Sequence, residues 1–257
     1  MNLFKSSYYK VQKTLLSLCG AWPYQTNRYH LTLRIIFLNG VIIFMLVPQM
    51  IVLLKNPHDF DFIMACLPML SGSIMAFSKG VILFRTINEI KMLFEELQRD
   101  WKYFGDVELD LVIIKRYAKR GKLITVIYTF SVYTLVICYY LVSLVAPTMD
   151  LLLPLNESRQ RVLIFPGDFY GHSDDHFFVI LTMEWYGTLC VAHLVLTVDA
   201  LYMTFMLHAC GMFAVLSERL ERLKIQDFDD EKYRLLQDQK IYLYLTNCVK
   251  LHLKIIK

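Results

Sequence analysis

Apolar residues in this chain gather into four runs too long and too free of charge for a soluble core. Ile35 to Leu54 gives 20 residues without a charged side chain, Phe62 to Ser78 gives 17, and Leu123 to Met149 gives 27. A fourth run, Phe177 to Ser217, covers 41 residues and is broken by two acids, Glu184 and Asp199. A helix needs about 20 apolar residues to cross a bilayer core. The pattern therefore predicts an all-α, multi-pass helical membrane protein with spans near 35–54, 62–84, 123–147 and 177–198. The fourth run reads either as two short spans or as one helix that outlasts the bilayer. Thr188 to Cys210 contains no Gly, Pro or turn cluster, which favours one helix of about 60 Å at 1.5 Å rise per residue.

Between the spans the periodicity changes. Tyr8, Val11, Leu15 and Leu18 have helical spacing before Trp22-Pro23, which predicts a surface helix that stops there. Pro48 sits inside the first span and predicts a kink. Ile87, Ile90, Phe94, Leu97 and Trp101 step by 3 and 4 residues, with Glu89, Lys91, Glu95, Glu96 and Arg99 between them. That is an amphipathic helix, with Gly105 as its stop. Glu108 to Lys122 predicts a helix leading into the third span, and Glu231 to Lys257 a last helix with Leu235, Leu236, Ile241, Leu245, Val249 and Leu253 as its apolar side. Residues 85–122 and 211–257 are thus helical segments outside the bilayer.

Charge orients this arrangement, because Lys and Arg collect on cytoplasmic flanks. Lys5, Lys10, Lys13, Arg28 and Arg34 precede the first span without an acid, whereas Lys55, Asp59 and Asp61 make up the first connection's charge. Residues 85–122 carry nine bases, residues 147–176 carry two against five acids, and residues 218–257 carry nine again. The alternation places the N-terminus and both basic segments in the cytoplasm and the two poor connections outside. A two-span reading of the fourth run would put the basic tail on the wrong side. Asn156-Glu157-Ser158 is a glycosylation sequon and falls in the second outer connection. A mean hydropathy of +0.42 agrees with a membrane protein. None of the six cysteines lies in an outer connection, so no disulfide framework is expected.

Catalytic chemistry finds little support. Walker, nucleophile-elbow and zinc-protease patterns are absent from the sequence, so the chain reads as no enzyme and needs no cofactor. Its bases are balanced by acids and flank spans, so nucleic acid is not indicated. His172-Ser-Asp-Asp-His176 holds metal-ligand types, yet a single outer cluster reads as a solvated loop rather than a metal site. Glu184 is different. An acid at bilayer depth is costly and should face protein or a watery cavity, either as a cavity wall or as a hydrogen-bonded acid between helices. Asp199 and His208, near the inner end, read as solvated.

One face of three spans mixes aromatics, methionines and small polar groups. The second span offers Met69, Ser73 and Phe77 alongside Cys66; the third offers Tyr133, Tyr140 and Ser143; the fourth offers Met183, Glu184 and Tyr186, continuing to Cys190 and His193. Such a face reads as helix packing or as the wall of a mostly apolar ligand cavity.

Several segments together carry a family likeness. Leu18-Cys-Gly-Ala-Trp22-Pro23 precedes the first span, and a long helical segment follows the second. Ala209-Cys-Gly-Met-Phe-Ala-Val-Leu-Ser-Glu-Arg-Leu-Glu-Arg-Leu223 continues the fourth run, and Cys248-Val-Lys-Leu-His252-Leu lies in the tail. With the N-inside topology these resemble the insect odorant receptors. The resemblance implies a seven-helix parent fold, a subunit of an odorant-gated cation channel in the cell membrane of sensory neurons. It implies a small volatile odorant as ligand, an odorant co-receptor as partner in a hetero-tetramer, and a cavity in the outer leaflet. On this reading residues 1–257 form a single incomplete receptor domain that stops in the lead-in to a fifth helix, so a fragment is expected and channel activity belongs to a complete subunit. A gustatory-type receptor of the same fold and a multi-pass transporter or enzyme are the rival readings.

Overall fold

The computed structural model describes residues 7–25, 28–55, 57–58, 60–155, 157, 159, 161–164, 176–225 and 234–255. Among them are seven helices: α1 (Lys10–Cys19), α2 (Arg28–Lys55), α3 (Phe60–Arg85), α4 (Ile87–Gly105), α5 (Glu108–Leu152), α6 (Phe177–Ile225) and α7 (Arg234–Ile255). The described residues contain no strand. Four stretches are long and apolar enough to cross a bilayer: Ile36–Lys55, Cys66–Arg85, Glu108–Leu152 and Phe177–Arg222. Phe37, Phe44, Ile74, Ile82, Phe130 and Val142 are exposed on them. A soluble surface rarely carries so much contiguous apolar area, whereas lipid accepts it. The chain is an all-α membrane protein.

One helix, not two, covers the fourth apolar run. The third span and its basic lead-in likewise form one 45-residue helix. Pro48, Pro68 and Pro147 lie inside α2, α3 and α5 without ending them. In a membrane bundle, neighbouring groups can satisfy the backbone that proline frees.

The chain divides into two compact units. The first comprises Lys10–Met92 and Thr125–Ala200, and so holds α1, α2, α3 and the bilayer-spanning parts of α5 and α6. Here α1 ends at Cys19, earlier than Trp22-Pro23 suggested. Gly20 has φ 74°, Gly20 N–H donates to Ser17 O (3.2 Å) and Ala21 N–H to Leu16 O (2.8 Å). These two bonds form a Schellman cap, and the left-handed φ explains why glycine stands there. Leu18 is exposed, while Gln12, Leu15, Leu16 and Cys19 are buried, so the buried side of α1 is rotated from the expected one. Leu15 packs with Leu196 and Ala200, flanked by Val11, Tyr128, Val132 and Tyr133. Cys19 Sγ lies 3.3 Å from Thr197 Oγ1, toward which it donates.

Asp199, expected to be solvated, keeps a side chain 35% exposed and is also paired. Lys79 Nζ donates to its Oδ1 at 2.5 Å and Tyr128 OH to its Oδ2 at 3.1 Å. The pair joins α3 and α6 with α5 attached through the tyrosine.

The second unit comprises Met1–Tyr9, Leu93–Ile124 and Leu201–Lys257. Phe94, Leu97, Trp101 and Phe104 of α4 are buried, and Phe94 meets Phe205 at 5.2 Å between ring centroids. Trp101 Nε1 donates to Tyr9 OH at 3.0 Å. Two buried aspartates tie the unit together. Asp110 accepts from Arg219 Nε at 3.0 Å, and Arg219 also lies over the Tyr103 ring, 5.6 Å from its centroid. Asp100 pairs with His208 Nε2 (3.1 Å) and with Lys254 Nζ. His208 is therefore a buried partner rather than a solvated group. In α7, Cys248 and Leu251 are buried while Leu245, Val249 and Leu253 of its apolar side are exposed.

Burial alone would raise the Asp100 carboxyl, but the hydrogen bonds and charges of His208 and Lys254 outweigh it and hold it below the ordinary value of 3.8. A carboxyl lowered on folding stabilises the folded state above its unfolded pKa and loses that contribution as pH falls through the folded value. Asp100→Asn should therefore cost about 3 kcal/mol at pH 7, as expected for breaking a buried pair. In thermal unfolding of the purified protein, the gap to the parent should narrow only below the usual carboxylate range. A gap that stays constant down to that range and beyond would contradict the assignment.

Candidate functional site

Glu184 stands seven residues into α6 from Phe177, about 10 Å along the helix, and is 1% exposed. Its Oε2 accepts a hydrogen bond from Ile164 N–H at 2.9 Å. Through this bond the acid holds the backbone of the connection between α5 and α6. That connection is held at two further points. Arg159 N–H and Nη1 donate to Asp150 at 3.1 and 2.8 Å, and Arg161 lies 5.5 Å from the Phe177 ring centroid.

Contacts within this unit fix the register of its helices around Glu184. A Cβ built at Gly80 would lie 2.6 Å from Asn39 Oδ1 and 2.9 Å from Leu194 Cδ2, and one at Gly187 would lie 2.6 Å from Met45 Cγ. Going up α2 from Asn39 to Met45 thus matches going back along α6 from Leu194 to Gly187, so these helices run antiparallel. One more turn brings Gln49 level with Glu184. Gln49 is four residues from Met45 and Glu184 three from Gly187, so both lie on the contacting faces. On α5, Tyr128 meets Asp199, Tyr133 OH lies 2.6 Å from His193 Nδ1, and Tyr140 meets Trp185 with centroids 5.1 Å apart. Along that series the level of Glu184 falls between Tyr140 and Ser143. Gly80 against Leu194 places Met69 and Ser73 of α3 on either side of the same level.

The residues expected to line a cavity separate into two groups. Ser73, Ser143 and Glu184 are buried, and Met69, Phe77, Tyr133 and Tyr140 are half-buried. Met183 and Tyr186 are 52% and 44% exposed. The buried side of α6 instead follows Ile180, Leu181, Glu184, Cys190 and Leu194, because Gly187, not Tyr186, occupies the close approach to α2. Gln49 was missed. It is 5% exposed, and its Oε1 has no hydrogen-bond partner among the described residues. The signal was present: an amide inside a 20-residue apolar run. Asn156 and His172 to Asp175 lie outside the described residues, whereas His176 is exposed at the start of α6.

The second unit contains a cleft of about 710 Å³ lined by Glu95, Gln98, Arg99, Trp101, Lys102, Gly105, Leu111 and Lys115. Its three bases and one acid suit a charged surface better than an apolar ligand. The described residues hold no cluster of His, Cys, Asp and Glu able to bind a metal.

Lipid-facing apolar surfaces and inward polar groups define a polytopic helical membrane protein. Residues 59–257 match the model of the seven-transmembrane odorant receptor family, and the chain belongs to that family. No curated protein matches it. The family is one of receptors, not of enzymes.

The Ile164–Glu184 bond makes a local prediction. A hydrogen bond contributes about 0.5–1.5 kcal/mol net, so Glu184→Leu should speed hydrogen exchange at the Ile164 amide by roughly twofold to tenfold. Glu184→Gln, which keeps an acceptor, should have a smaller effect. Unchanged exchange in Glu184→Leu would show that the outer connection is not held there.

Proposed function

We propose that this odorant receptor chain binds small, largely apolar volatile ligands in the outer half of its membrane unit, around the level of Glu184. The complete subunit then opens a cation path together with an odorant co-receptor, in the cell membrane of olfactory neurons. What supports this reading is that four helices bring buried polar groups, Gln49, Ser73, Ser143 and Glu184, to within about one turn of the same level in an otherwise apolar bundle. Methionine and aromatic side chains from the same helices supply the surround. Ligand sites have this composition, an apolar wall with a few placed polar groups.

The co-receptor reading is supported by α7, whose Tyr242, Leu245, Val249 and Leu253 present an exposed apolar stripe. A subunit partner would cover it. The orientation follows from the alternation of basic and base-poor segments.

Magnitudes set the expected affinity. Burying about 250 Å² of apolar ligand surface contributes about 6 kcal/mol, which corresponds to roughly tens of micromolar before the costs of association. Expression of the complete subunit with a co-receptor should give cation currents evoked by some members of a broad panel of small volatiles at micromolar concentrations. Glu184→Leu and Ser143→Leu should shift the responses at least tenfold. Silence across the panel, with the subunit shown at the cell surface, would contradict the proposal.

A further inference from the structure

Where α1 meets α2, at one end of the membrane unit, bases gather and acids are scarce. Residues 1–58 contain no Asp or Glu. Lys10 and Lys13 are exposed on α1, while Leu15 and Leu16 turn the other side of that helix into the bundle. Arg34 Nη1 donates to Ser17 O at 3.2 Å, which ties the last turn of α1 to the start of the first candidate span, Ile36–Lys55. Lys13 lies 5.8 Å from the Trp22 ring centroid, and Lys91 lies 6.0 Å from that of Tyr24. Gly80 of α3 abuts Asn39 of α2, and the short connection from Lys55 to Phe60 makes these helices antiparallel. Five residues back along α2 and five onward along α3 therefore bring Arg34 and Arg85 to one level. Both are exposed. Asp199 is taken up by Lys79, and Glu89 is the exposed acid one turn from Lys91. Leu18, Tyr29 and Leu33 add exposed apolar surface on the same two helices, α1 and α2.

We propose that this corner holds the headgroups of anionic phospholipids in the cytoplasmic leaflet. Position and charge both select that occupant. The alternation of basic and base-poor segments puts this end in the cytoplasm. Arg34 stands two residues before the span, at the depth of the headgroup layer that borders the hydrocarbon core. A helix in the interface plane sends apolar side chains to the acyl boundary and bases to the phosphates. Leu18, Tyr29 and Leu33 supply the first kind, and Lys10, Lys13, Arg34 and Arg85 the second. Tyr24 adds a ring of the type that anchors proteins at this layer. The bond to Ser17 uses one of the five N–H donors of Arg34, and a cation–π contact leaves the Lys13 ammonium its three. Each base close to an anionic surface is worth about fivefold in affinity. Phosphatidylcholine offsets its phosphate with a choline cation, whereas phosphatidylserine keeps a net negative charge, so the corner selects the latter. A headgroup bound there adds to the Arg34–Ser17 bond in fastening α1 to the spans. This binding is independent of the odorant site.

Native mass spectrometry of the whole chain, released from nanodiscs with equal amounts of phosphatidylserine and phosphatidylcholine, reads which lipids it retains. The parent should retain phosphatidylserine over phosphatidylcholine at least tenfold, and the preference should weaken as salt in the reconstitution rises, because exposed charges are screened. Lys10→Gln combined with Lys13→Gln should cut the preference at least fivefold, and Lys10→Arg combined with Lys13→Arg should keep it. Both lysines are exposed, and thermal melts in phosphatidylcholine nanodiscs report whether each variant is folded. Lys102→Gln combined with Lys115→Gln removes the same charge from the other unit and should leave the preference unchanged. Equal retention of the two lipids by the parent overturns the proposal. So does a preference that survives in the folded Lys10 and Lys13 glutamine variant, or one that falls as far in the Lys102 and Lys115 control.

Discussion

Hydrocarbon offers no hydrogen-bond partners, and this one constraint organises the membrane unit. Each polar side chain on a span must find a partner inside the bundle or leave a penalty. Lys79, Tyr128 and Asp199 meet this demand with one another. Tyr133 and His193 do so across α5 and α6. Glu184 does it by drawing in the backbone of the outer connection. These contacts also set the register between helices, because each joins two elements at a defined residue. The level that contains Gln49 and Glu184 is a consequence of that register.

The second unit obeys a different rule. Its helices carry charge on their outer faces and can remain in water, so its buried aspartates are ties rather than necessities. Asp110 with Arg219, and Asp100 with His208 and Lys254, fasten the last turns of α6 and the end of α7 to α4 and α5. The same two long helices thus contribute apolar surface to one unit and ion pairs to the other. Fold and family membership agree on a membrane receptor whose two units share continuous helices.

Much of this was legible in the amino-acid pattern. The spans follow from run length, and the buried side of α4 from Ile90, Phe94, Leu97 and Trp101 at helical spacing. Periodicity failed where polar residues compete with apolar ones for the inside. On α7 the spacing of Leu245, Val249 and Leu253 marks a genuine stripe, yet Cys248 and Leu251 are the buried pair. On α6 the stepping from Met183 to Tyr186 drifts off the inner face because Gly187 marks the close approach to Met45. Asp199 and His208 were read from depth alone, without the partners that lie 120 and 108 residues earlier. A long-range pair of this kind leaves no local signature. The early stop of α1 at Gly20 was available in the residue itself, since glycine after a helix commonly takes the left-handed cap.

The central claim is that Gln49 and Glu184 face one another at one level of the bundle. Cysteine cross-linking tests it most directly. In a background without native cysteines, Gln49→Cys combined with Glu184→Cys should cross-link rapidly with a short bifunctional maleimide in native membranes, and faster than Gln49→Cys combined with cysteine at Ile180 or Thr188. A maximum at Ile180 or Thr188 would shift α2 against α6 by a turn and contradict the account.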